Sequence, residues 1–200
     1  MDNMSLPIIT INREYGAGGR SLAACLSKRL GISYYDRDFI SKTADESGYD
    51  SEDIEREGEE ISVSSSVINS MFKGIVSYNS SHDAIFEAEK KVILEYSKNP
   101  CILVGRCANR ILDEAGVDYL SIYLHAPLKF RLKRAAELGE NGDVKLEKYV
   151  EKRDRMRQIF FKKYTGREIF DATIYSATFD MSKISIEVCA DAVIDMIKGR

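Results

Sequence analysis

The chain is poor in the residues that build metal centres, disulfide frameworks and membrane anchors. Its four cysteines (Cys25, Cys101, Cys107, Cys189) are far apart with no C-x-x-C pair, and neither His82 nor His125 has ligand-like neighbours. Reduced thiols in a core are therefore expected. No apolar run approaches the roughly 18 residues of a membrane-spanning helix. The first ten residues, MDNMSLPIIT, lack the charged region and apolar run of a signal peptide. These absences predict a cytoplasmic protein with no membrane contact.

What is present suits one domain over 1–200, since 200 residues at 44% hydrophobic content can bury a full core. The net charge of −3 hides an asymmetry: residues 128–167 hold 13 Lys and Arg against 6 Asp and Glu, so the remaining 160 carry a balance of −10. That polarity fits a compact anionic ligand approached from one side and argues against nucleic acid, which asks for a whole basic face.

Hydrophobic patterning alternates strands with helices. Ile8–Ile11 reads as a strand, followed by a glycine-rich turn and a helix carrying Leu22, Leu26 and Leu30, with Gly31 as its terminator. ISYYD (32–36), CILVG (101–105), YLSIYLHAP (119–127) and FDATIY (170–175) read as further strands. Ile186, Cys189, Ala190, Val193, Met196 and Ile197 line a closing helix. Such alternation predicts an α/β fold with a parallel sheet, whose ligands bind beyond the carboxyl ends of the strands. Two segments break the rhythm. Residues 45–60 carry nine acids against Arg56 alone, as a solvated face would, and 62–81 hold eight serines among scattered apolar positions. The second suggests a helix packed on the core or on another subunit, making 45–80 a candidate homodimer surface.

The stretch ITINREYGAGGRSLAACLSKRLG (9–31) is a strand, glycines and a helix amino terminus in succession, the arrangement that traps anions. The standard phosphate-loop pattern is G-x-x-x-x-G-K-S/T. Here its last three positions read Gly19, Arg20 and Ser21, and its first is Glu14, so arginine stands where lysine is usual. A glycine-rich turn without a ligand would also produce this string.

Taken in order, INREYGAGGRSLA, YYDRDFI, ILVGRCANRIL, APLKFRLKR and KRDRMRQIFFKKYTG resemble the cytidylate kinase-like family, a divergent branch of the P-loop nucleoside monophosphate kinases. The resemblance spans nearly the whole chain, and the YGAGGR form with arginine is usual in that branch. It implies a three-layer P-loop kinase fold with a five-stranded parallel sheet, a monophosphate-binding region at about 37–99 and a lid at 128–167. It also implies ATP and Mg2+, phosphoryl transfer to a nucleoside monophosphate, and CMP or dCMP as first acceptor. A P-loop kinase of another small metabolite and a non-catalytic nucleotide-binding regulatory module remain open alternatives.

Carried onto this chain, the resemblance gives Gly16, Ala17, Gly18, Gly19, Arg20 and Ser21 to the phosphates of ATP, with Ser21 as magnesium ligand and Arg20 in place of the lysine. Arg106 matches the arginine that holds the acceptor. Acids flank that arginine in cytidylate kinases, but Val104 and Cys107 stand near it here. Asp36 and Asp38, with Arg37 between them, are candidate replacements or base-reading groups, although a solvated turn would look the same. In the lid, Arg131 and Arg134 share a helix face, as do Arg153 and Arg157, and Asp154 is spaced to orient Arg157. These arginines would close over the phosphates as charge spreads in the transition state; a soluble basic helix is the plainer alternative.

Overall fold

Strand β1 (Ile8–Arg13) is apolar along its length because it runs through the middle of a sheet covered on both faces. The computed structural model describes residues 7–36 and 81–199, with side chains from 86 onward in the second stretch. Arg37, Asp38 and the candidate dimer surface at 45–80 lie outside the described residues. After β1 come α1 (Gly19–Leu30), β2 (Ser33–Tyr35), α2 (Ser81–Tyr96), β3 (Cys101–Val104), α3 (Ala108–Glu114) and β4 (Tyr119–His125). Then follow α4 (Leu128–Leu138), α5 (Leu146–Thr165), a 3-10 turn (Ala172–Ile174), β5 (Ala177–Asp180) and α6 (Ile186–Lys198).

The five strands pair in parallel in the order β2-β3-β1-β4-β5. Alternation along each strand divides the core. Ile9, Ile11, Ile102, Val104, Ile122 and Leu124 pack with α1 and α6, whereas Ile8, Cys101 and Leu103 pack with α2 and α3. Helix α1 buries Leu22, Ala23 and Leu26 and stops at Gly31, whose φ of 69° favours glycine and whose N–H reaches Ser27 O at 2.9 Å. Helix α6 buries Cys189, Ala190, Val193, Ile194 and Ile197. Cys25, Cys101, Cys107 and Cys189 are free thiols, as expected, and burial pushes those of Cys101 and Cys189 up to about 12.

The fifth strand is displaced from its expected place. FDATIY does not extend: Asp171 accepts hydrogen bonds from Thr173 N at 3.0 Å and Thr173 Oγ1 at 2.6 Å, closing a 3-10 turn, and the strand forms at Ala177–Asp180 instead. A local side-chain acceptor has outcompeted strand propensity. The sheet brings the carboxyl ends of β1, β2 and β3 together, and with them Arg13, Asp36 and Gly105.

Leu26 is fully buried and Leu138 is 50% exposed. Leu26→Ala should lower unfolding free energy by about 2–5 kcal/mol, and Leu138→Ala by no more than about 0.5 kcal/mol, both read from urea denaturation midpoints.

Candidate active site

The turn between β1 and α1 is shaped from within and from behind. Gly16 and Gly18 take φ of 78° and 98°, conformations that an L side chain resists. A Cβ on Gly16 would lie 2.6 Å from the carbonyl oxygen of Arg131, so α4 presses directly on the loop. Glu14 accepts a hydrogen bond from Ala126 N at 3.0 Å, and Ala17, fully buried, joins the core with its N–H on Glu14 O. No acidic residue occupies the first turn of α1 and no side chain caps it. Its dipole therefore faces the turn without a competing carboxylate on its own helix.

Behind the loop lies Arg131, 7% exposed. Its guanidinium donates to Ala126 O (2.9 Å), Tyr15 O (3.1 Å) and Asp154 Oδ2 (2.5 Å), and its Nε lies 3.2 Å from Glu14 Oε2. Asp154 also accepts from Tyr15 N at 2.6 Å. This departs from two expectations. Arg131 does not face the phosphates beside Arg134, because two carboxylates and two carbonyls enclose it. Asp154 holds Arg131 and the loop backbone, and not Arg157.

In front of the loop, expected residues converge with others that were not expected. Arg13, Arg20, Arg134, Arg153 and Arg157 line a cavity of about 70 Å³ with Gly16, Gly18, Gly19, Ser21 and two acids, Glu14 and Glu140. Arg134 Nη2 donates to Ser21 Oγ at 2.7 Å. The guanidinium of Arg157 lies 5.4 Å from the Tyr15 ring centroid, and its Nη1 is buried with no hydrogen-bond partner among the described residues. A buried donor in that state calls for a partner, water or an anion. Arg153 lies 5.9 Å from the Tyr149 ring.

At the carboxyl ends of β2 and β3, Asp36 binds Arg20 Nε and lies 3.7 Å from Arg13 Nη2. Burial alone would raise its carboxyl, but the charge of Arg13, the Arg20 hydrogen bond and the charges of Arg20 and Arg106 hold it below the ordinary carboxylate value. Arg20 reaches back to the turn between α4 and α5, where Glu140 Oε1 lies 3.2 Å from its Nη1. The Tyr15 hydroxyl donates to Glu140 at 2.7 Å, and burial together with that bond pushes its pKa well up, so it stays a neutral donor. Arg106 follows β3 at φ 58°, between Gly105 at 83° and Cys107 at 55°, and its Nη1 is 3.1 Å from Glu89 Oε1.

Sequence reasoning passed over Arg13, Glu14, Tyr15, Glu89 and Glu140. Glu89 carried a legible signal, an acid on the same helix face as Phe86, Val92 and Ile93. Its carboxylate is 2% exposed. Asp154→Ala should cost on the order of 1–3 kcal/mol by stripping Arg131 and Tyr15 N of an acceptor. Arg157→Ala should leave the denaturation midpoint much nearer the native value.

Residues 8–183 match the model of the cytidylate kinase-like family. A protein named cytidylate kinase from Sulfolobus acidocaldarius is 26% identical over 199 residues, covering 96% of this chain and 94% of its own. An uncharacterized protein from Eubacterium ventriosum has a similar structure, with a TM-score of 0.69 at 21% identity over 97% of this chain and 99% of that one. Shikimate kinase from Acinetobacter baumannii, solved with shikimate, superposes with a TM-score of 0.57 at 16% identity over 98% and 95%. The sheet order and the glycine loop accord with that likeness, and the chain belongs to the cytidylate kinase-like family.

Proposed function

We propose that this protein transfers the γ-phosphoryl group of ATP to a nucleoside monophosphate, with CMP or dCMP the favoured acceptor. The reading rests chiefly on one observation: arginines from four elements, β1, α1, α4 and α5, meet over a glycine loop at a helix amino terminus. Phosphoryl transfer asks a protein mainly for positioning and for charge around the moving group, and this arrangement supplies both. The name of the Sulfolobus relative supports a cytidine acceptor.

In this reading the backbone of residues 16–21 cradles the β-phosphate. Arg134, Arg153 and Arg157 belong to a lid over 128–167 and stabilise charge on the transferring group while excluding water. Arg106, seated by Glu89, holds the acceptor. Magnesium, when bound, supplies Lewis-acid charge to the phosphate oxygens. The Ser21 hydroxyl in the first turn of α1 would hold it. No cluster of three or more His, Cys, Asp or Glu among the described residues forms a metal cage.

A coupled ADP-release assay across the common monophosphates should give its highest kcat/KM with CMP or dCMP. Arg106→Ala should raise the acceptor KM about tenfold or more, the loss of one charge-assisted hydrogen bond, with ATP affinity nearly unchanged. ATP-dependent thermal stabilisation without ADP release on any acceptor would replace this reading with a nucleotide-binding module. Release only with a hydroxylated metabolite would replace it with a small-metabolite kinase.

A further inference from the structure

Arg13, the last residue of β1, occupies an unusual route. Its side chain is 13% exposed and runs between two glycines. A Cβ on Gly19 would lie 3.0 Å from Arg13 Cγ and 3.1 Å from Cδ, and a Cβ on Gly105 would lie 2.2 Å from Arg13 Nη1. Gly19 opens α1 on the side of the phosphate loop, and Gly105 opens the turn that carries Arg106. The stem of Arg13 thus covers the start of α1, and its guanidinium reaches the seam between the two loops. Arg20 lies further out: its side chain is 48% exposed, and it pairs with Glu140 and with Asp36, the carboxylate that Arg13 Nη2 also approaches at 3.7 Å.

We propose that Arg13 is the catalytic cation of this loop, delivered from the end of β1 in place of the lysine that such loops deliver from the helix. The inference deepens the phosphoryl-transfer reading and rests on it. With the β-phosphate cradled by residues 16–21 and an acceptor phosphate held by Arg106, the γ-phosphoryl group would pass across that seam, beside the Arg13 guanidinium. An oxygen of the acceptor phosphate attacks the γ-phosphorus, and the bond from that phosphorus to the β,γ-bridging oxygen breaks. ADP leaves with the electron pair. The acceptor phosphate attacks as a dianion, so no proton need move, and the guanidinium stays protonated while donating to the oxygens of the moving group. Gly19 and Gly105 are then required for clearance, since a side chain at either position would displace the arginine.

The test compares Arg13→Met and Arg20→Met by steady-state kinetics, with ATP affinity measured by titration and folding checked by thermal melting. Arg13→Met should lower kcat by about 10²–10³, the usual effect of losing one preorganised charge at a transition state, with ATP Kd and acceptor KM moving far less. Arg20→Met should cost about tenfold or less. A double-mutant cycle supplies a second measurement. Gly19→Ala should lower kcat in the wild-type background and have little further effect on Arg13→Ala, where nothing remains to displace. If wild type is active and Arg13→Met keeps its kcat while Arg20→Met loses it, Arg20 is the cation and the inference is overturned. Additive effects of Gly19→Ala and Arg13→Ala would also overturn it. A wild-type protein that phosphorylates no monophosphate would instead overturn the phosphoryl-transfer reading, and this inference with it.

Discussion

The buried guanidinium of Arg131 holds the phosphate loop in its shape, and much of the site depends on that one group. A charge taken out of water must be met on several sides or it costs several kcal/mol. Arg131 meets Glu14, Asp154 and the carbonyls of Tyr15 and Ala126. Those partners come from the end of β1, the β4–α4 junction and α5, so a single side chain joins the loop to both helices of the basic region. Because Asp154 also accepts from Tyr15 N, and the Arg131 carbonyl abuts Gly16, the loop cannot change shape without unpairing a buried ion. Such fixed geometry is what an electrostatic site needs, since dipoles already in place do not reorganise when charge develops.

Around this anchor the charges are sorted by depth. Asp154 sits behind the loop and Glu14 at the boundary, both facing Arg131, while Arg134, Arg153 and Arg157 line the cavity in front. Aromatic rings help to place the front group, with Tyr15 beneath Arg157 and Tyr149 beneath Arg153. Tyr15 touches both layers. Its backbone N–H binds Asp154 behind, and its hydroxyl binds Glu140 at the tip between α4 and α5. The neighbouring Gly105-Arg106-Cys107 turn, left-handed at all three residues, seats Arg106 beside the buried Glu89 carboxylate. Non-glycine residues in that conformation carry strain that surrounding structure must offset.

Much of this could be read along the chain where the governing contacts are local or repetitive. The apolar runs at 8–11 and 101–104 announced central strands, Gly31 announced the end of α1, and the period of α6 identified four of its buried residues, Cys189, Ala190, Val193 and Ile197, while missing Ile194. FDATIY misled because an Asp171 side-chain acceptor competes with strand formation, and that competition is decided by geometry and not by propensity. Asp154 misled in another way. Its spacing from Arg157 permits a helical pair, but a buried arginine across the fold, with a backbone N–H beside it, is the stronger attraction.

The sequence by itself determined the alternation of strands and helices, the glycine loop before a helix amino terminus, and the supply of arginines in 128–167, because each is written in periodicity, glycine placement or charge count. Only the tertiary structure decided which arginines face the cavity. Arg131 and Arg134 look equivalent on a helix face, yet one is enclosed by carboxylates and the other reaches Ser21. Arg13 gave no signal, since its route depends on the absence of side chains at Gly19, placed by the turn into α1, and at Gly105, brought to it by the parallel pairing of β1 with β3. Residue type and spacing fix what a side chain can offer. Which groups surround it, and so whether its charge is neutralised or directed into the site, is fixed by long-range packing.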